Sequence, residues 1–303
     1  MGAVSTASDA LRLRVRIEAP PDAMVKAITE PDLMTEWLAE SVEVAPDRYE
    51  FWGRYVPQGD RARQRPIDID PARGVRLAWE LDGSAGGAVL AGSAGGAVLA
   101  GSAGGEPSEV DLSVEADGER GSVVELTHTG VPGESYPALN AFWHLALTNL
   151  AARGEGYPTT PPLDFTLPAH GEALVRTVIA VPPEEVYACL LDPEQVGRLT
   201  GTTAVIEAEV GGRYDLGWER GPVRITDLVP DRALALAWRQ PDLPETVVRW
   251  DLRTSHGHTY LTLTHGDFTD DRLAEELRQR WVPLLVELKR MLELGERWER
   301  LAR

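Results

Sequence analysis

Leu11, Leu13, Val15 and Ile17 alternate with Arg12, Arg14 and Arg16. That period of two predicts a strand with one buried face. Pro20-Pro21-Asp22 then opens a helix, because proline suits a first turn and an acid there complements the helix dipole. Thr29-Glu30-Pro31-Asp32 ends it and starts a second, short helix reaching Trp37. Leu77, Trp79 and Leu81 share one face of a later strand, and residues 110–115 and 122–128 read as two more, joined by a turn at Asp117-Gly118. From about Pro137 to Arg153 the period changes. Leu139, Phe142, Trp143, Ala146, Leu147 and Leu150 there form a single apolar stripe, which predicts a helix with one buried side.

The second half repeats this order. A strand over 173–181 precedes a helix opened by Pro182-Pro183-Glu184-Glu185, and strands follow near 204–209, 212–218, 223–228, 233–239, 247–252 and 259–265. A closing helix from about Asp271 carries Leu273, Leu277, Trp281, Leu284, Leu285, Leu288, Met291 and Leu292 on one stripe. Pro283 lies within that stripe and either kinks the helix or marks its start.

The two halves match position by position. Pro20-Pro21 and Pro31 correspond to Pro182-Pro183 and Pro193 at an offset of 162. Pro71 with Arg73 and Trp79 corresponds to Pro230, Arg232 and Trp238 at 159, and Leu126-Thr127-His128 to Leu263-Thr264-His265 at 137. The last step, of 22 residues, equals the length of a Gly/Ala-rich tandem tract at 84–105. Such a tract carries a high backbone entropy cost for a strand, so it reads as a hairpin extension rather than an interaction arm.

A unit of one strand, two short helices, a meander of about six strands and one long helix must bury a sheet face. The long helix is the element large enough to cover it. The expected fold class is therefore α+β: two tandem helix-grip domains, each a curved antiparallel sheet wrapped round a long C-terminal helix. The expected boundaries are 1–153 for the first domain, 154–170 for a proline-rich linker and 171–303 for the second domain. A cavity between sheet and helix is the natural ligand site of such a unit.

Charge narrows the partners. The formal net charge is −18, and both halves are acidic, which repels phosphate backbones and anionic lipid, so neither nucleic acid nor membrane is an expected partner. No apolar run of spanning length and no N-terminal secretory pattern occurs, and the expected location is cytoplasmic. Cys189 is the lone cysteine, which excludes an intrachain disulfide. Lys26 and Lys289 are the only lysines among 30 basic residues, a bias that reads as GC-rich coding and a bacterial source.

Several words of the sequence carry a resemblance. In the first half they are Ala19-Pro20-Pro21, Ile28-Thr29-Glu30-Pro31-Asp32-Leu33, Trp37-Leu38-Ala39-Glu40 and Leu126-Thr127-His128-Thr129-Gly130. In the second they are Val181-Pro182-Pro183-Glu184-Glu185-Val186, Gly211-Gly212-Arg213-Tyr214, Val229-Pro230-Asp231-Arg232 and Leu263-Thr264-His265-Gly266-Asp267-Phe268. Together they resemble the family called activator of Hsp90 ATPase homologue 1-like, within the START/Bet v 1-like (SRPBCC) superfamily. The resemblance implies the helix-grip fold. It also implies a choice among binders, cyclases and chaperone regulators, because one fold hosts all three. The halves depart from each other where Leu199 stands in place of Trp37, and at the tract.

Eight residues are candidates for lining a cavity: Trp37, Trp79, His128, Trp143, Trp238, Trp250, His265 and Trp281. His128 and His265 occupy equivalent positions. Each is either a polar contact or general base for a ligand, or a structural hydrogen-bonding group, and the second reading weighs more because no carboxylate or nucleophile recurs beside them. Trp79 pairs with Trp238 and Trp143 with Trp281 across the duplication, so core packing competes with ligand stacking. The Ser255-His256-Gly257-His258 segment reads as a hairpin turn rather than a metal hook. Glu184-Glu185 and Asp270-Asp271 read as helix-start acids, and Cys189 as an inert buried thiol. No nucleotide-binding, hydrolase or metalloprotease motif occurs.

The favoured expectation is non-enzymatic binding of a small hydrophobic or aromatic ligand in one or both cavities, without cofactor or metal. The alternatives are a regulator of an Hsp90-type chaperone acting by protein contact, and a polyketide cyclase- or hydrolase-like enzyme using a cavity histidine.

Overall fold

The computed structural model describes residues 10–81, 107–218, 221–239, 244–302. The tract at 84–105 lies outside the described residues.

The first domain runs β1 (Leu11–Ile17), α1 (Pro21–Thr29), α2 (Pro31–Met34), β2 (Ser41–Ala45), β3 (Arg48–Trp52), β4 (Gln64–Asp70), β5 (Gly74–Trp79), β6 (Ser108–Asp117), β7 (Gly121–Thr129) and α3 (Tyr136–Glu155). The second repeats it: β8 (Ala173–Ile179), α4 (Pro183–Leu191), α5 (Pro193–Thr200), β9 (Val205–Ile206), β10 (Tyr214–Asp215), β11 (Gly221–Val229), β12 (Ala233–Arg239), β13 (Thr246–Ser255), β14 (His258–Gly266) and α6 (Asp271–Leu294). The two main sheets have five antiparallel strands each, in the orders β1-β7-β6-β5-β4 and β11-β12-β13-β14-β8. β2 with β3, and β9 with β10, form separate two-stranded pieces. Both units are thus helix-grip folds, and the chain is α+β throughout.

Local chemistry accounts for the element ends. Pro21, Pro31, Pro183 and Pro193 each sit in the first turn of a helix, where no backbone donor is needed. Asp192 and Asp270 cap α5 and α6 by accepting backbone N–H groups of the first turn. Asp271 instead accepts from Gly171 N–H and pairs with His170 at 3.0 Å. His256 and Gly257 both have positive φ between the paired Ser255 and His258. That is the two-residue turn that suits the twist of a hairpin. Pro283 lies inside α6, which starts at Asp271. The marker-of-start alternative is thereby removed.

Two expectations change. Residues 204–209 and 212–218 yield only two-residue strands. More consequentially, α3 is buried nearly all round and not along one stripe. The cause is the second domain: α6 packs on the far side of α3, and Ala141 and Leu145 of α3 join the second domain's core. The layers run sheet, helix, helix, sheet. A lone amphipathic stripe is what an isolated unit would need; a helix shared by two cores is apolar on both sides.

The connection between the domains is pinned. Asn149 exchanges two hydrogen bonds with Thr160, whose hydroxyl meets that of Thr177 at 2.7 Å. Phe165 N–H reaches Arg54 O at 2.8 Å. Beyond α6 the chain returns to the first domain. Arg14 N–H donates to Leu301 O at 2.8 Å, and buried Leu301 gives its own N–H to Glu287 at 2.7 Å. No described helix is long and apolar enough to cross a membrane.

Candidate functional site

The duplicated histidines lie at the centre of a duplicated relay. In the first domain, Trp143 on α3 donates its indole N–H to Nδ1 of His128 at 3.1 Å. Nε2 of that ring meets Ser108 Oγ at 2.9 Å, and Ser108 donates to the carbonyl of Trp79 at 2.8 Å. In the second domain Trp281 donates to Nδ1 of His265 at 3.2 Å, and Nε2 meets Thr246 Oγ1 at 2.9 Å. Since Nδ1 accepts in both cases, the ring proton sits on Nε2 and goes to the hydroxyl. Both imidazoles are fully buried, and burial pushes their pKa down to about 3. With both nitrogens engaged and the ring neutral, each histidine ties helix to sheet. An acid/base or ligand-fixing role would require that relay to break.

The aromatic candidates divide between the domains. Trp37 gives its N–H to Ala27 O at 2.9 Å and fills the space under α1. Trp79 stacks on His128 with ring centroids 5.4 Å apart. Phe51, buried on β3, lies edge-on to Trp79 at 5.1 Å and stacks on Phe142 at 6.1 Å. The first core is therefore packed with rings, and Trp37, Trp79, His128 and Trp143 belong to it.

The second domain leaves a gap at the same place. An apolar slit there is lined by Leu190, Leu199, Leu216, Trp238, Trp250 and Trp281, among others. His265 is not part of its lining. Its unfilled space totals about 350 Å³ up to the open mouth, of which about 20 Å³ admits the centre of a water-sized sphere. That is room for a single water molecule.

Sequence differences account for the gap. Leu199 stands where the first half has Trp37. Tyr49 and Tyr214 are equivalent, since each donates its hydroxyl to a matching helix-end carbonyl, Ile28 at 2.8 Å and Leu190 at 2.7 Å. Two residues on, Leu216 therefore replaces Phe51. Part of the lost volume is returned by Trp250 in place of Leu112 and Leu284 in place of Ala146, as the common relay aligns them. Of the eight sequence candidates, Trp238, Trp250 and Trp281 come together at this slit.

Sequence reasoning missed the leucines of the slit and the two relay hydroxyls. Ser108 and Thr246 were findable as hydroxyl residues at equivalent places in the two halves, where they open β6 and β13. The Phe51/Leu216 contrast was hidden, because β10 is too short to align by pattern.

Two tryptophans that line the slit, Trp238 and Trp250, have a buried Nε1–H with no partner among the described residues. Its other polar groups are engaged. Tyr214 and Thr200 give their hydroxyl protons to the carbonyls of Leu190 and Val196, and Trp281 gives its N–H to His265. Cys189 is buried nearby in the same core, where its thiol is pushed up to about 12 and is unreactive.

Residues 180–293, which hold every wall of this slit, match the family described as Activator of Hsp90 ATPase homolog 1-like protein. The second domain belongs to that family. None of the curated proteins matches the chain. Among solved structures, the chain is similar to the Aha1 dimer from Colwellia psychrerythraea, at 24% identity over 41% of this chain and 98% of that one, with a TM-score of 0.37. It is similar to CalU16 from Micromonospora echinospora at 22% identity over 39% and 71% of the two chains, with a TM-score of 0.36. DynU16, described as a putative protein in the dynemicin biosynthetic locus, aligns over 95% of this chain and 99% of its own at 18% identity and a TM-score of 0.35.

Proposed function

We propose that this chain binds a small, flat, apolar molecule in the second domain, with the first domain acting as a rigid support. The observation that carries this reading is the contrast between equivalent sites: rings fill one, while the other keeps an apolar slit beneath three tryptophans. Burial of a guest against Trp and Leu side chains supplies the affinity. Because the slit is narrow, binding is coupled to a parting of its walls. Titration with the neutral dye N-phenyl-1-naphthylamine tests this. A saturable signal with one site per chain is expected, and a linear, non-saturating signal overturns the reading.

The family name of the second domain supports a second reading, in which the chain contacts an Hsp90-type chaperone and alters its ATPase. Pull-down with that chaperone and an ATPase assay test it. Absence of any effect at large molar excess removes it.

A further inference from the structure

We propose, resting on the ligand-binding reading above, that the guest is uncharged and presents a carbonyl-type oxygen to the indole N–H of Trp250. The duplication separates Trp250 from its neighbours. Trp79, the first-half equivalent of Trp238, also has an unpartnered indole N–H, so that feature of Trp238 belongs to the common fold. Trp250 has no such counterpart. Leu112 stands in its place, and a leucine there would fill the wall without adding a buried donor. The second domain therefore carries, at the slit, a polar group that its core packing does not use.

A buried donor without an acceptor is unfavourable, and its natural complement is an acceptor on whatever enters. The engaged groups define the rest of the guest. Since Tyr214, Thr200 and Trp281 already donate elsewhere, these three side chains have no donor left for a further acceptor on the guest. Among the described residues, no carboxylate, ammonium, guanidinium or imidazole lines the slit, so a charged guest would be desolvated without a counter-ion there. The walls are aromatic: Trp281 packs edge-on to both Trp238 and Trp250, with ring centroids 5.3 and 6.1 Å away, so an aromatic guest finds ring faces and edges to pack on. The class is an aromatic ketone or quinone.

Fluorene and 9-fluorenone differ only by CH2 against C=O, and 9-fluorenone-4-carboxylate adds a charge. Affinities are read by displacement of N-phenyl-1-naphthylamine from the intact chain. The ketone is expected to bind about tenfold more tightly than the hydrocarbon, the magnitude of one good hydrogen bond. In Trp250→Phe that preference is expected to fall to within about twofold. Equal binding of ketone and hydrocarbon to the wild type, or a preference that survives in Trp250→Phe, overturns the inference and leaves the binding site standing. Tighter binding of the carboxylate than of the ketone overturns the uncharged guest. If none of the three displaces the dye, the class is wrong; if the dye itself does not saturate, the site is wrong. Should Trp250→Phe fail to fold, the wild type suffices: the Trp250 indole proton resonance is expected to move with 9-fluorenone and stay with fluorene, and the reverse refutes the proposal.

Discussion

Trp281 gives its indole N–H to Nδ1 of His265 across 3.2 Å, joining the long helix of the second domain to its last strand. The same bond joins Trp143 to His128 at 3.1 Å. The relay fixes the distance between helix and sheet, and so sets the depth of the space between them. Replacing His265 with alanine strands the buried indole N–H of Trp281, takes the ring donor away from Thr246 Oγ1 and leaves a void, and is expected to cost about 3 kcal/mol. Urea unfolding measures it.

The buried imidazoles also give a pH signature. Their folded pKa is about 3 against an ordinary value of 6.5. As pH falls below about 6.5 the unfolded chain takes up protons that the folded chain refuses, so stability falls with pH between 6.5 and 3. His144, lowered to about 4 by burial, adds in the same direction. Buried carboxyls such as Glu287, whose pKa burial raises, act in the opposite sense. The comparison of interest is therefore between wild type and His265→Gln, and the variant's stability is expected to fall less steeply from pH 6.5 to 4.

Filling the slit should abolish binding. Leu199→Trp restores the ring that the first half carries at Trp37, and dye affinity is expected to drop by tenfold or more, at a cost of about 1–3 kcal/mol if the ring overpacks its new site. The converse change, Trp37→Leu, removes a buried ring and its bond to Ala27. An expected loss of about 3 kcal/mol would show as a lower urea midpoint.

Lys289 is fully buried, donating to Val178 O at 2.7 Å and to Glu293 at 2.6 Å. Glu293 in turn accepts from Ala180 N–H at 2.8 Å. Lys289→Met leaves Glu293 without its counter-ion and is expected to cost about 3–5 kcal/mol. Adding Glu293→Gln, which keeps an acceptor for Ala180, should recover more than half of that loss. A double-mutant cycle by chemical denaturation checks both numbers.

Leu301 couples the domains, since its carbonyl is held by Arg14 and its N–H by Glu287. Leu301→Ala keeps both backbone bonds but removes a side chain fully buried in the first core, and is expected to lose about 2–4 kcal/mol. Calorimetry should show the loss as reduced cooperativity between the two domains, with a broader transition than in the wild type.

Much of the fold was legible in the sequence. Leu11 to Ile17 alternate as a strand must, prolines mark four helix starts, and the matched words at 126–128 and 263–265 predict the two histidines at equivalent places. The site was legible in part. Trp37 against Leu199 is one of the differences between the two cores, and Trp238, Trp250 and Trp281 meet at the slit. The all-round burial of α3 was not legible, because the residues that cover it lie on α6, more than a hundred positions away.

Sequence by itself determined the two domains, their helix-grip class, their relation by duplication and the residues shared by both. Those follow from periodicity and from local backbone chemistry, which act over a few residues. Tertiary structure alone decided that the shared histidines are closed in relays, that Phe51 and Phe142 plug one core, and that Trp250 has an N–H to offer. Whether a polar atom has a partner, or a ring has a neighbour, depends on atoms brought together from distant strands and helices, and no local pattern along the chain records it.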